Sequence, residues 1–191
     1  MTITFEEIRK VNEEIRTMTI SRKDKYGRVS EKEYAEVNQR VKAFRMLYPE
    51  GAITTDIIEM SNGIVTIKAT IMDSQGNILA TGTAQEKEDS SYINNTSYIE
   101  NCETSAVGRA LGFCGLGIDC SIASAEEVAN AMAQQDANKP VTKAEKQGLI
   151  ESAQAKGLVV TDILQELGWK EGETITRAQY GKAMERIIKA K

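Results

Sequence analysis

Ala52-Ile53-Thr54-Thr55-Asp56-Ile57-Ile58-Glu59-Met60, followed by Asn62-Gly63 and then Ile64-Val65-Thr66-Ile67-Lys68-Ala69-Thr70-Ile71-Met72, decides the fold of this chain. In the second segment Ile64, Thr66, Lys68 and Thr70 alternate with Val65, Ile67, Ala69 and Ile71. A period of two in Ile- and Thr-rich sequence is that of a strand with one buried face. Asn-Gly supplies the two left-handed residues of a tight hairpin turn. Asp73-Ser74-Gln75-Gly76-Asn77 turns the chain again, and Ile78 to Gln85 reads as a third strand. The expectation is a three-stranded antiparallel meander.

Helices flank it. Serine or threonine followed three residues later by Glu or Gln marks a capping box, in which each side chain satisfies the other's free backbone N–H. The pairs are Thr4/Glu7, Ser30/Glu33, Ser97/Glu100, Ser124/Glu127, Thr142/Glu145 and Thr176/Gln179. The first predicts a helix burying Phe5, Ile8, Val11 and Ile15; the second predicts one carrying Tyr34, Val37, Val41 and Phe44, stopped by Pro49 and Gly51. Residues 86–96 are polar and read as a mobile excursion. The Ser97 helix buries Ile99, Cys102, Ala106, Ala110 and Phe113, and a further helix runs from about Ala125 to Ala133. The fold class expected is α+β, a β-β-β-α core spanning 1–133. A polar linker follows at 134–141, then a small all-helical module at 142–191, with Trp169 anchoring Ile150, Leu158, Leu164, Leu167 and Ile187.

The chain has 191 residues and no histidine. That removes Ser-His-Asp and Cys-His catalysis and every His-containing zinc site. Cys102, Cys114 and Cys120 are too few for a four-cysteine zinc site and suit reduced thiols packed among small residues. There is no phosphate-loop motif for ATP, since Gly112, Gly115 and Gly117 lack the accompanying lysine. No cofactor or metal is expected. Without a signal-like or membrane-length apolar segment, the expected location is the cytoplasm.

Net charge is −4, but it is segregated. Arg16, Arg22, Lys23, Lys25, Arg28, Lys32, Arg40, Lys42 and Arg45 face only Asp24, Glu31, Glu33 and Glu36, whereas from Met46 to Ala137 the only cations are Lys68, Lys87 and Arg109. A local basic surface is what phosphate binding needs; a solvated basic helix and loop is the plainer reading. Arg109 is the one cation of the Ser97 helix, surrounded by Ser105, Ala106, Gly108 and Ala110. It must find a phosphate, solvent or an internal carboxylate such as Glu103.

The strand end Ala80-Thr81-Gly82-Thr83-Ala84-Gln85-Glu86, the Asn-rich loop and Glu103-Thr104-Ser105-Ala106-Val107-Gly108-Arg109-Ala110-Leu111-Gly112 resemble the Rad fifty-two-like annealase superfamily, most closely phage single-strand annealing proteins of the Sak and Erf kind. The upstream Tyr34 to Pro49 segment also fits, so the likeness covers roughly residues 33–131. The tail from Val141 to Ile188 is similar to a helical module of phage recombination proteins. The resemblance implies ATP-independent binding and annealing of single-stranded DNA by a ring or filament homo-oligomer. It also implies a phage exonuclease or single-strand-binding protein as partner of the tail. Arg109 matches the family's groove position, but Gly108 stands where a second cation is common. Charge alone adds Arg40, Lys42, Arg45, Lys23, Lys25 and Lys68 as candidate DNA contacts.

Two other functions stay open: a single-strand coating protein without annealing activity, and a metal-dependent nuclease using Asp73 and Gln85-Glu86-Lys87. Tyr92 and Tyr98 are candidates for base stacking or loop packing.

Overall fold

The computed structural model describes residues 3–23, 27–91 and 93–190, with the backbone alone at Lys23. It divides into two units, Met1–Ala131 and Met132–Lys191. In the first, α1 (Phe5–Glu13) opens on the Thr4/Glu7 capping box. Strands β1 (Thr17–Lys23) and β2 (Val29–Ala35) follow as an antiparallel ribbon, then α2 (Val37–Leu47). The ribbon corrects the helix start expected at Ser30/Glu33. Glu33 accepts from Thr17 Oγ1 across the strands at 3.2 Å, and Glu31 accepts from Ser21 Oγ at 3.1 Å. Cross-strand hydroxyls thus take the carboxylates that a cap would have used.

Strands β3 (Ala52–Ser61), β4 (Ile64–Met72) and β5 (Ile78–Lys87) form an antiparallel sheet in the order β3-β4-β5. Asn62 and Gly63 close the first hairpin with φ of 51° and 70°. Asp73 closes the second, its carboxylate accepting from Gln75 N, Asn77 N and Asn77 Nδ2, each at 2.9 Å. Val65, Ile67, Ala69 and Ile71 of β4 are buried. They share one core with Val11, Ala43, Phe44, Cys102, Ala106, Ala110, Leu111 and Leu116.

Helix α3 (Asn94–Phe113) lies across β5 and β4. Its backbone is non-helical at Ser97 (φ −141°), so the helix expected from Ser97 begins at a kink inside a longer one. The described residues of the stretch expected to be a mobile excursion, 86–91 and 93–96, are tied by hydrogen bonds. Buried Asn94 donates to Glu86 Oε2 at 2.6 Å and Ser90 Oγ at 2.9 Å, and accepts from Asn101 at 2.8 Å. Tyr92 lies outside the described residues; Tyr98 is half-buried against the core.

Helix α4 (Ala125–Ala137) continues four residues past the expected end at Ala133. Residues 138–141, the end of the linker expected at 134–141, lie within the second unit and are hydrogen-bonded to it. Val141 N donates to Ile175 O at 3.0 Å, Arg177 N donates to Lys139 O at 2.9 Å, and Pro140 bridges Thr176. That unit holds α5 (Lys143–Gln154), α6 (Val160–Glu166) and α7 (Arg177–Lys189), with capping boxes at Thr142/Glu145 and Thr176/Gln179. Its core is Leu149, Ala153, Leu164, Ile175, Ala183 and Ile187, with Trp169 packed against it; Leu149 takes the place expected for Ile150. Among the described residues no helix is long and apolar enough to cross a membrane.

The seam between sheet and helix depends on Gly82. A Cβ there would meet Ala110 N at 2.5 Å and Ala106 O at 2.7 Å, both backbone atoms that cannot turn aside. Gly82→Ala is expected to lower unfolding free energy by roughly 1–3 kcal/mol through overpacking, read from the midpoint of a urea titration. Wild-type stability in that variant would contradict the close seam.

Candidate nucleic-acid interface

Helix α2 reads Val37-Asn38-Gln39-Arg40-Val41-Lys42-Ala43-Phe44-Arg45-Met46-Leu47, with three cations and no acid. Helical spacing sends those cations in two directions. Ala43, Phe44 and Arg40 are buried; Asn38, Lys42, Arg45 and Met46 are exposed.

Arg40 was expected on the DNA surface and is instead 0 % exposed. Its Nη1 donates to Gly108 O at 2.6 Å and Ile122 O at 2.7 Å, and its Nη2 donates to Ser121 O and, at 3.4 Å, to Ala123 O. Gly112 leaves the room: a Cβ there would lie 2.8 Å from Nη1. Burial lowers the arginine's pKa, opposed by the charges of Glu127, Cys120 and Glu126. The guanidinium stitches α2 to α3 and to the segment after it, and no phosphate can reach it.

Arg109 has taken the internal carboxylate. Its Nη1 lies 3.2 Å from Glu127 Oε1, with the two side chains 36 % and 17 % exposed, and its guanidinium sits 6.0 Å from the centre of the Phe113 ring. Glu127 also accepts from Ser124 N at 3.0 Å, completing the cap of α4. The partner is Glu127 on α4 rather than Glu103, which accepts from Thr55 Oγ1 at 2.6 Å. The pair with Glu127 uses one nitrogen of Arg109 and offsets part of its charge.

The remaining candidates differ in freedom. Lys42 is exposed on α2. Arg45 is exposed but donates to Gly51 O and, at 3.4 Å, to Pro49 O, its guanidinium 5.3 Å from the Phe44 ring centre. Lys68 is half-buried on the sheet face away from the core, directly opposite Asp56 on β3 and Thr83 on β5. Register places Thr54, Glu59, Thr66, Thr70, Thr81 and Gln85 on that face too, so Lys68 shares it with two carboxylates, Asp56 and Glu59. Lys23 ends β1, and Lys25 lies outside the described residues. The structure therefore keeps Lys42 and Arg45 together on one helix face and removes Arg40 from it.

The residues considered for other chemistry have the following surroundings. Asp73 is spent on its turn, where hydrogen bonds from Asn77 hold its pKa low. Glu86 holds Asn94. Among the described residues no group of three His, Cys, Asp or Glu side chains is placed to hold a metal ion. Burial pushes the Cys114 thiol up to about 11 and raises Cys102, which is fully buried. Both are poor nucleophiles near neutral pH.

Arg40→Ala empties a fully buried site and takes a charged donor from one buried and three partly buried carbonyls, and is expected to destabilise the fold by roughly 2–5 kcal/mol in guanidinium unfolding. Arg40→Lys recovers little, since one ammonium cannot span the fork. A loss below about 1 kcal/mol would mean that Arg40 is not the clamp.

Residues 41–114, from within α2 through β3, β4 and β5 to the end of α3, match a family model described as Slr1353 N-terminal dsRNA-binding domain-like. No curated protein matches the chain.

Proposed function

We propose that this protein binds single-stranded DNA through its sugar-phosphate backbone and speeds the pairing of complementary strands without ATP, as a homo-oligomeric ring or filament. The observation that carries the reading is α2, a helix whose solvent face presents Lys42 and Arg45 with no acid in the helix. The cations that could have been mistaken for part of that surface, Arg40 and Arg109, have internal partners. On the outer sheet face, the β5 side of Lys68 carries Thr81, Thr83 and Gln85, neutral groups of the kind that contact phosphates without reading bases, while Asp56 and Glu59 lie on its β3 side. Annealing is downhill once strands meet, so a protein need only screen phosphates, hold strands extended and leave base edges open. The likeness of residues 33–131 to phage annealing proteins supports the same assignment. The C-terminal helical unit is the proposed site for a recombination partner such as an exonuclease or single-strand-binding protein.

A second reading comes from the matched family's description, which names double-stranded RNA. Against it, residues 94–108 of α3 carry Glu100 and Glu103 and no cation, so most of the helix has no positive charge to offer a duplex.

The test mixes complementary labelled oligonucleotides with the protein, with and without ATP and magnesium, alongside a duplex RNA of the same length. Faster pairing of intact strands in every condition is expected, and Lys42→Glu with Arg45→Glu should weaken single-strand binding roughly tenfold or more while leaving the unfolding midpoint near wild type. Slowed pairing with bound DNA would identify a coating protein, shortened strands a nuclease, and preference for the RNA duplex the second reading. Each of these overturns the annealing assignment.

A further inference from the structure

Two features of the first unit are unfinished in complementary ways. The first is the β1–β2 ribbon. Among its described side chains only Tyr34 and Ala35, at its base, are buried. A two-stranded ribbon is marginal in water unless something covers it. Register sorts its side chains: Met18, Ile20 and Arg22 share a face with Tyr34, Lys32 and Ser30, while Thr17, Thr19 and Ser21 share the other with Glu31 and Glu33. The glutamates are engaged by Thr17 and Ser21 on their own face. The opposite face is apolar and basic, and neither Arg22 nor Lys32 forms an ion pair among the described residues.

The second is β3, an edge strand of the main sheet. Helix α3 covers β5 and β4 and barely reaches β3. Ile57, Ile58 and Met60 are left 56 %, 59 % and 53 % exposed around a register shift between Ile57 and Glu59. The strand carries Asp56 and Glu59 and no cation. Register puts Ile57 and Met60 on the core side of the sheet and Asp56 and Glu59 on its outer side, so the free edge offers apolar groups along one side and acids along the other, and an exposed edge of this kind is a docking template. It does not suit a copy of itself: antiparallel β3–β3 pairing centred on Ile57 and Ile58 sets Asp56 against Glu59, two like charges.

We propose that copies of this chain associate head to tail, the apolar-basic face of the β1–β2 ribbon of one copy lying on the apolar-acidic β3 edge of the next. Met18 and Ile20 meet Ile57, Ile58 and Met60, and Arg22 and Lys32 meet Asp56 and Glu59. The two surfaces differ, so each copy uses both, and the contact propagates into a ring if the rotation closes or a filament if it does not. This rests on the self-associating part of the proposed function and names the contact. Its readout is mass, so a failed strand-binding assay leaves it standing.

Charge reversal on each side tests it in the full-length chain. Sedimentation of the wild type at tens of micromolar should give a multiple of the protomer mass. Asp56→Lys with Glu59→Lys should reduce this to the protomer, as should Arg22→Glu with Lys32→Glu. Mixing those two variants should restore the multimer, because each ribbon then finds an opposite edge, and a chain carrying all four changes should assemble alone. Restoration on mixing excludes misfolding as the cause of the loss. A monomeric wild type, one-sided variants that keep the wild-type mass, or a mixture that stays monomeric overturns the proposal.

Discussion

The guanidinium of Arg40 is the constraint on which the core unit turns. Four backbone carbonyls, one from α3 and three from the segment leading into α4, converge on a side chain that starts from α2. An arginine is costly to bury, and the cost is offset here by carbonyls at both terminal nitrogens, while Nε is buried without a partner. The helix order α2, α3, α4 around the sheet is thereby fixed at one point. Gly112 and Gly117 sit within contact distance of that side chain where larger residues would collide with it.

The clamp also decides where charge reaches the surface. With Arg40 facing inward, helical spacing puts Lys42 and Arg45 on the opposite side of α2. On α3 and α4 a similar economy pairs Arg109 with Glu127, a carboxylate that simultaneously caps α4. Inward cations organise helices, and the outward Lys42 and Arg45 stay exposed on α2. An acidic total of −4 is compatible with this because the acids are concentrated after Met46.

The sheet was readable from the sequence because its signals are local. The alternation of Ile64 to Met72 and the turn at Asn62-Gly63 need no knowledge of the rest of the chain. The caps at Thr4, Ser124, Thr142 and Thr176 are local in the same sense. Ser30/Glu33 misled because the same two residue types serve a strand equally well, and Thr17-Met18-Thr19-Ile20-Ser21 held the overlooked period-two signal. The interface was less legible. Nothing in the spacing of Arg40, Lys42 and Arg45 says which is inside; that depends on carbonyls more than sixty residues away. Arg109 was left between phosphate and carboxylate, and Glu127 could be identified only once α4 was placed beside α3.

Central to the account is that binding is made to phosphates by a small set of outward cations, without reading bases. The salt dependence of single-strand affinity measures this directly. Titrating oligonucleotides of unrelated sequence between about 50 and 300 mM salt should give straight lines of log affinity against log salt, with a common slope of about −2 or steeper, as expected when several phosphates are neutralised. A slope near zero, or slopes and affinities that change with base sequence, would contradict it.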